Sequence, residues 1–230
     1  MNPVAERYSL VIAYPEQTRA HNAQDSWNWF RPGDQGPNRG EPEILAGLAR
    51  KLATEFGIAR GRVFAAGLSA GGGMAAILGV THPEVFSAIG IHSGLPHGAA
   101  HDVASAFAAM RGEAASGPAR GKRPVRTIVF HGSADPTVHP ANADRIVEAA
   151  AAGSRVVLSH ESGRSRGGRT WSRTTASTPD GTAWTEDWRI EGAGHAWSGG
   201  VSEGSYTDPT GPDASEEMAR FFMAGSGAQA

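Results

Sequence analysis

The sequence predicts an α/β protein: a mainly parallel sheet flanked by helices, in a single domain over residues 1–230. Three observations predict it. Short apolar runs alternate with Ala/Leu-rich amphipathic stretches, as in repeated strand–helix units. One such run, Val63 to Ala66, leads through Gly67-Leu68-Ser69-Ala70-Gly71 into an Ala/Met/Ile/Leu-rich stretch ending at Val80, which reads as strand, sharp turn and helix. A length of 230 residues with 40% apolar content is enough for one proper core.

Taken in order, Met1 to Tyr8 reads as the end of a helix and Ser9 to Tyr14 as a strand. A polar loop rich in Gly and Pro follows, carrying Trp27, Trp29 and Phe30. Glu41-Pro42-Glu43 opens a helix, because acidic side chains favour its positive end and proline is tolerated in the first turn. Ile44, Leu45, Leu48, Leu52 and Phe56 give that helix an apolar face, and Gly57 stops it. Val63 to Ala66 is a strand and Ala70 to Val80 a helix. The glycines at 71–73 allow close packing on a sheet but lower helix propensity. Ser87 to His92 is a strand, His101 to Arg111 a helix, and Gly112 to Arg123 a surface loop. Thr127 to Phe130 is a strand, Ala141 to Ala152 a helix, and Val156 to Ser159 a strand. Thr170 to Thr175 and Ala183 to Ile190 flank Pro179-Asp180-Gly181, which suits a hairpin. Asp213 to Ala224 closes the chain as a helix, with Asp213 and Glu216 at capping-box spacing. The tail after about residue 224 reads as frayed.

The chemistry starts at Ser69. In G-x-S-x-G between a strand and a helix, the serine is forced into a strained bend with its hydroxyl above the carboxyl edge of the sheet. The same pattern recurs at Gly163/Ser165/Gly167 and Gly200/Ser202/Gly204, but neither follows an apolar strand or opens a helix. A nucleophilic serine needs a base, and the base needs an orienting acid. Asp135 lies in the loop His131 to Val138 just past the Thr127–Phe130 strand. His195 lies in Gly192-Ala193-Gly194-His195-Ala196-Trp197, just past Thr185 to Ile190. The chain order Ser, Asp, His resembles that of the α/β-hydrolases. His131 reads as structural, bonding the Asp135 loop. His92, His97, His101 and Asp102 do not make a recognised metal set, so no metal is expected. Trp197, beside the histidine, is a candidate for the substrate cleft. Trp27 and Trp29 stand evenly between a cleft wall and a local cluster pinning their loop.

Several other classes are disfavoured. A net charge of −2 and a pI near 6.5 argue against a nucleic-acid or anionic-membrane partner. Arg164, Arg166, Arg169 and Arg173 read as a solvated loop or hairpin arm. No apolar run approaches the length of a membrane span, and Glu6 and Arg7 interrupt the apolar core a signal peptide needs. With no cysteine there are no disulfides.

Six stretches together resemble the esterase family of polyhydroxybutyrate depolymerases, which is close to the feruloyl and acetylxylan esterases. They are Ala13 to Gln17, Trp27 to Phe30, Gly67 to Gly72, His131 to Asp135, Gly194 to Gly200 and Gly211 to Ser215. The resemblance implies an α/β-hydrolase fold and a cofactor-free serine esterase acting on small or polymeric esters. It implies Ser69 as nucleophile, Asp135 as acid, His195 as base and the Ala70 N–H as one oxyanion donor. Relatives carry a further segment before the position of Met1, holding the first strands and a His-Gly loop with the second oxyanion donor, so the fold is expected to be N-terminally shortened. They also carry a cysteine where Ser26 stands here. Without that segment, the strand from Leu10 and the strand at Val63 lose their usual neighbour. Three outcomes stay open: Leu10 to Tyr14 pairs with Val63 to Ala66, another chain builds that edge, or the sequence is a shortened form. Two functions follow, an active esterase on short hydroxyalkanoate or aryl/acetyl esters, and a catalytically weak remnant lacking part of its oxyanion hole.

Overall fold

Period-two alternation in the central strands sends apolar side chains to both faces of one sheet, and helices cover both. The computed structural model describes residues 1–113 and 124–225. Its elements run α1 (Asn2–Tyr8), α2 (Gly40–Glu55), β1 (Phe64–Leu68), α3 (Ala70–Thr81), β2 (Ala88–His92), α4 (Val103–Met110) and β3 (Arg126–Gly132), and then α5 (Ala141–Ala151) and β4 (Val157–Arg164). The chain continues through β5 (Thr170–Ser177), β6 (Ala183–Ile190), the two-residue strands β7 (Trp197–Ser198) and β8 (Thr207–Asp208), and α6 (Ala214–Ala224). The main sheet has the order β1-β2-β3-β6-β5-β4. Its first four strands are parallel, and β6, β5 and β4 form an antiparallel meander.

On one face, Ile89, Ile91 and Val129 pack against Ala75 and Ala76 of α3 and Ala143 and Ile146 of α5. On the other, Ile128, Phe130, Trp188 and Ile190 pack against Met218, Phe221 and Phe222 of α6. Each buried Val, Ile, Phe or Met side chain among these contributes about 1.5–3 kcal/mol. This two-sided burial explains why β2 and β3 read as continuous apolar runs rather than alternating ones. The hairpin expected around Pro179-Asp180-Gly181 forms, closed by Thr178 N–H donating to Thr182 O at 2.9 Å.

The strand expected at Ser9 to Tyr14 does not form. Ser9 adopts a left-handed conformation (φ 53°) that ends α1, and no ladder follows it. A strand needs a hydrogen-bonded neighbour. Among the described residues β1 has one only on its β2 side, and Leu10 to Tyr14 do not pair with it. The N-terminal helix docks on α6 instead. Val4 and Ala5 are buried, Arg7 pairs with Glu216, and Tyr8 Oη donates to Glu216 Oε1 at 2.8 Å. The Glu216 carboxylate is thereby taken from the capping box expected at α6. Only the Asp213 half is made, accepting from Glu216 N–H at 3.1 Å.

The apolar face expected on α2 is also only half used. Leu45 and Ala46 are buried, but Ile44 is 71% and Phe56 52% exposed, because the Ile44 side of the helix turns away from the core. The arginine arm is a hairpin as expected, with Arg164 and Arg166 exposed at its tip, while Arg169 and Arg173 are paired. Arg169 pairs with Asp208 at 2.9 Å, and Arg173 with Glu161 at 2.6 Å and the buried Glu186 at 3.7 Å. Most of the loop expected over Gly112 to Arg123, and most of the tail expected to fray, lie outside the described residues.

Candidate active site

Four adjacent parallel strands deliver the site to one edge of the sheet. Ser69 follows β1, Ser93 follows β2, Asp135 lies in the loop after β3, and His195 in the loop after β6. Ser69 occupies φ 56°, ψ −119°, a conformation that costs a non-glycine residue about 1–3 kcal/mol. The surrounding contacts hold it there. Its N–H donates to His92 O at 2.9 Å, and its carbonyl accepts the Gly73 N–H at 2.9 Å, which starts α3. The bend is so tight that a side chain at Gly67 would lie 2.3 Å from the Gly71 carbonyl carbon. Ala70 is the first residue of α3, so its N–H has no intrahelical acceptor.

Asp135 is buried and fully engaged. Oδ1 accepts the N–H groups of Thr137 and Val138, each at 2.9 Å, and Oδ2 accepts the Nδ1–H of His195 at 2.8 Å. Burial alone would raise its pKa, but the bonds from His195, Val138 and Thr137 outweigh it and hold the carboxyl at about 2. His131 donates from Nε2 to Val138 O at 2.7 Å, bracing the same loop as expected. Its pKa is pulled down, chiefly by burial.

The His195 loop is stitched down along its length. Gly192 N–H donates to Ser133 Oγ at 2.9 Å, Ala193 O accepts from Ala134 N–H at 3.0 Å, and Arg169 donates to Gly192 O at 2.9 Å. A side chain at Gly132 would lie 2.3 Å from Ala193 O. Gly132→Ala is therefore expected to lift the loop and destabilise the fold by about 1–3 kcal/mol, read as a lower Tm by calorimetry. An unchanged Tm would mean the loop gives way freely.

Among the described residues no hydrogen bond joins the Ser69 hydroxyl to His195. In ligand-free serine hydrolases that contact is often long and tightens only with substrate. The structure thus makes the acid–imidazole half of the expected triad and leaves the half-buried serine on the same rim.

The three tryptophans separate. Trp29 is 7% exposed and lies in the core, where a side chain at Gly73 of α3 would meet its ring at 3.2 Å, so it is not a cleft residue. The close approach that the α3 glycines permit draws it inward. Trp27 is half-buried beside the first turn of α3, its Cδ1 3.8 Å from where a side chain at Gly71 would begin. Its neighbour Asn28 is locked by Glu41, which accepts the Asn28 N–H at 2.7 Å and an amide hydrogen of its side chain. Trp197 is half-buried; its indole N–H donates to Ser215 Oγ at 3.1 Å.

Two residues of this region escaped sequence reading. Arg169 looked like one of a run of surface charges. His92 looked like the end of a strand, yet it is 1% exposed and its ring reaches the loop after His195. Its place just before Ser93-Gly94 at a strand end was the one available signal. His97 turns to Gln35 O at 2.9 Å and His101 to Asp102 at 3.7 Å, so these three histidines do not converge.

A serine at a strand-to-helix elbow, over the same sheet edge as an imidazole held by a buried carboxylate, is the arrangement of the α/β-hydrolases, and the fold is theirs. Within that class the chain belongs to the Esterase PHB depolymerase family, whose model matches residues 1–171. It is 30% identical over 154 residues to poly(3-hydroxyalkanoate) depolymerase C of Paucimonas lemoignei, covering 61% of this chain and 37% of that protein. It is 26% identical over 157 residues to acetylxylan esterase A of Talaromyces purpureogenus, covering 60% of this chain and 40% of that protein. The chain thus spans less than half the length of these relatives. Among solved structures it is similar to the acetyl xylan esterase from Aspergillus awamori, with a TM-score of 0.65 and 18% identity over 96% of this chain and 80% of that one.

Proposed function

We propose that this protein hydrolyses carboxylic esters through an acyl-enzyme on Ser69. The observation that carries the reading is the 2.8 Å bond between His195 Nδ1 and the ionised Asp135. It leaves Nε2 as the imidazole nitrogen able to take a proton. Family membership supports the ester-hydrolase class.

In this mechanism His195 Nε2 removes the Ser69 proton as Oγ attacks the ester carbonyl. Asp135 keeps the proton of His195 on Nδ1 and stabilises the imidazolium. The Ala70 N–H donates to the oxyanion. The tetrahedral intermediate collapses, the alcohol leaves with the proton from His195, and water repeats the sequence to release the acid. Trp27, beside the first turn of α3, and Trp197, beside His195, would border the substrate. Hydroxyalkanoate esters are favoured by the name of the depolymerase relative, and acetyl esters by that of the acetylxylan esterase relative.

A second reading is a catalytically weak hydrolase. It is favoured by the unmade Ser69–His195 bond and by the Ala70 N–H being the single oxyanion donor assigned. Losing one donor costs about 10²- to 10³-fold in rate. Labelling with a fluorophosphonate, followed by mass spectrometry of the peptide containing Ser69, separates the two. Rapid modification of Ser69 is expected of the esterase. Folded protein left unmodified at Ser69 would favour the weak form.

A further inference from the structure

His92 is the last residue of β2, and two of its groups grip the two loops that must meet. Its carbonyl accepts the Ser69 N–H at 2.9 Å, fixing the serine elbow. Its side-chain Nε2 accepts the Ser198 N–H at 2.9 Å, three residues beyond His195. Because Nε2 is an acceptor, the ring proton sits on Nδ1 and donates to Ser93 Oγ at 3.2 Å. The ring is stacked against Phe130, centroids 5.8 Å apart, and against Trp197, 5.4 Å apart. Burial, with the nearby imidazoles of His131 and His195, pulls its pKa down to about 3, so it remains a neutral acceptor across the working range of the site.

The geometry points to His92 as a positioning residue that sets the distance between Ser69 and His195, by holding the Ser69 amide with its carbonyl and the His195 loop with its ring. The inference rests on the esterase reading for its kinetic consequence. His92 touches no reacting atom. It acts through the register of two loops that come from non-adjacent strands, β1 and β6, and that have β2 and β3 between them. Removing the ring acceptor leaves a buried Ser198 N–H unpaired, and the loop must move to find another partner.

The test compares His92→Phe, which keeps a flat stacking ring but loses the acceptor, with His92→Gln, whose amide oxygen reaches where Nε2 was. Three quantities are measured on the full chain: kcat and KM on p-nitrophenyl butyrate, Tm, and the ¹H resonance of the His195 Nδ1–H. The Phe variant is expected to lose about tenfold to a hundredfold in kcat, the scale of one unpaired buried donor, with KM little changed and the His195 resonance displaced. The Gln variant is expected to restore most of the rate and the resonance. A folded Phe variant with wild-type kcat, or a Gln variant no better than Phe, overturns the inference. Should Phe fail to fold, His92→Asn replaces it. Its amide is one methylene too short for Ser198, and equal rates for Asn and Gln would also overturn it. If the wild type itself neither labels nor turns over, the esterase reading falls. The resonance then decides the positioning role: displaced in Phe and restored in Gln sustains it, and unmoved rejects it.

Discussion

Ser69→Ala is expected to remove ester hydrolysis almost completely, with kcat falling by about 10⁶-fold, the scale seen when the nucleophile of a serine hydrolase is deleted. The loss should appear in kcat rather than KM, because the hydroxyl forms its bond only on the way to the transition state. It should also come without a change in fold. Alanine inherits the φ of 56° and its strain, while the backbone bonds to His92 and Gly73 do not involve the hydroxyl. Circular dichroism and Tm close to wild type, together with background hydrolysis of p-nitrophenyl butyrate, is the expected pair of results. Retention of more than a trace of turnover in purified Ser69→Ala protein would remove Ser69 from the mechanism.

Asp135→Asn is expected to lower kcat/KM by about 10⁴-fold near neutral pH, although it changes one atom. The reason lies in the partners of Asp135. Oδ1 is committed to two N–H donors, Thr137 and Val138. The amide oxygen of Asn must take that position, because an NH₂ there would face two donors. The NH₂ then points at His195 Nδ1 and needs an acceptor, which places the ring proton on Nε2. That tautomer cannot receive the proton of Ser69. Steady-state kinetics from pH 5 to 9, with imidazole ¹⁵N shifts to read the tautomer, check both halves of the argument. A drop of less than about tenfold, or an unchanged tautomer, would return Asp135 to a structural role. The pH sign follows from the same bonds. The folded-state pKa of Asp135, about 2, lies below its ordinary value of 3.8, so its stabilisation is complete above that ordinary value and is lost as pH falls through 2. An acid limb of activity above pH 4 therefore does not report Asp135.

The parts of the site legible in sequence were those written locally. Gly67 and Gly71 around Ser69, set between an apolar run and a helix-forming stretch, mark a tight bend, and that setting is what separates Ser69 from the same pattern at Ser165 and Ser202. Asp135 and His195 each fall in a loop just past a strand's carboxyl end, which is where a parallel sheet gathers its chemistry. The strands at 88–92 and 126–132, the 183–190 hairpin arm and the Asp213 cap were equally local, resting on a few consecutive side chains. The apolar stripe on α2 misled because periodicity identifies a helix without saying which of its sides finds a neighbour. Ile44 and Leu45 are adjacent in the chain and opposite in burial.

The sequence by itself determined that this is a strand–helix protein with a serine elbow, and that Asp135 and His195 each fall in a loop past a strand end, since those features need only short-range steric and hydrogen-bonding preferences; the bond between Asp135 and His195 joins residues 60 apart and belongs to the tertiary structure. Tertiary structure alone decided what depends on a partner far away in the chain. Ser9 to Tyr14 has strand propensity but pairs with no strand among the described residues, and so stays irregular. Trp29 sinks into the core because glycine at position 73 of α3 leaves it space. Arg169 trades solvent for Asp208 and the Gly192 carbonyl. His92 becomes the link between two loops because β2 lies beside the strand that carries Ser69. Propensity is a property of a segment, whereas a hydrogen bond or a contact belongs to two segments at once, and only the folded chain supplies the second.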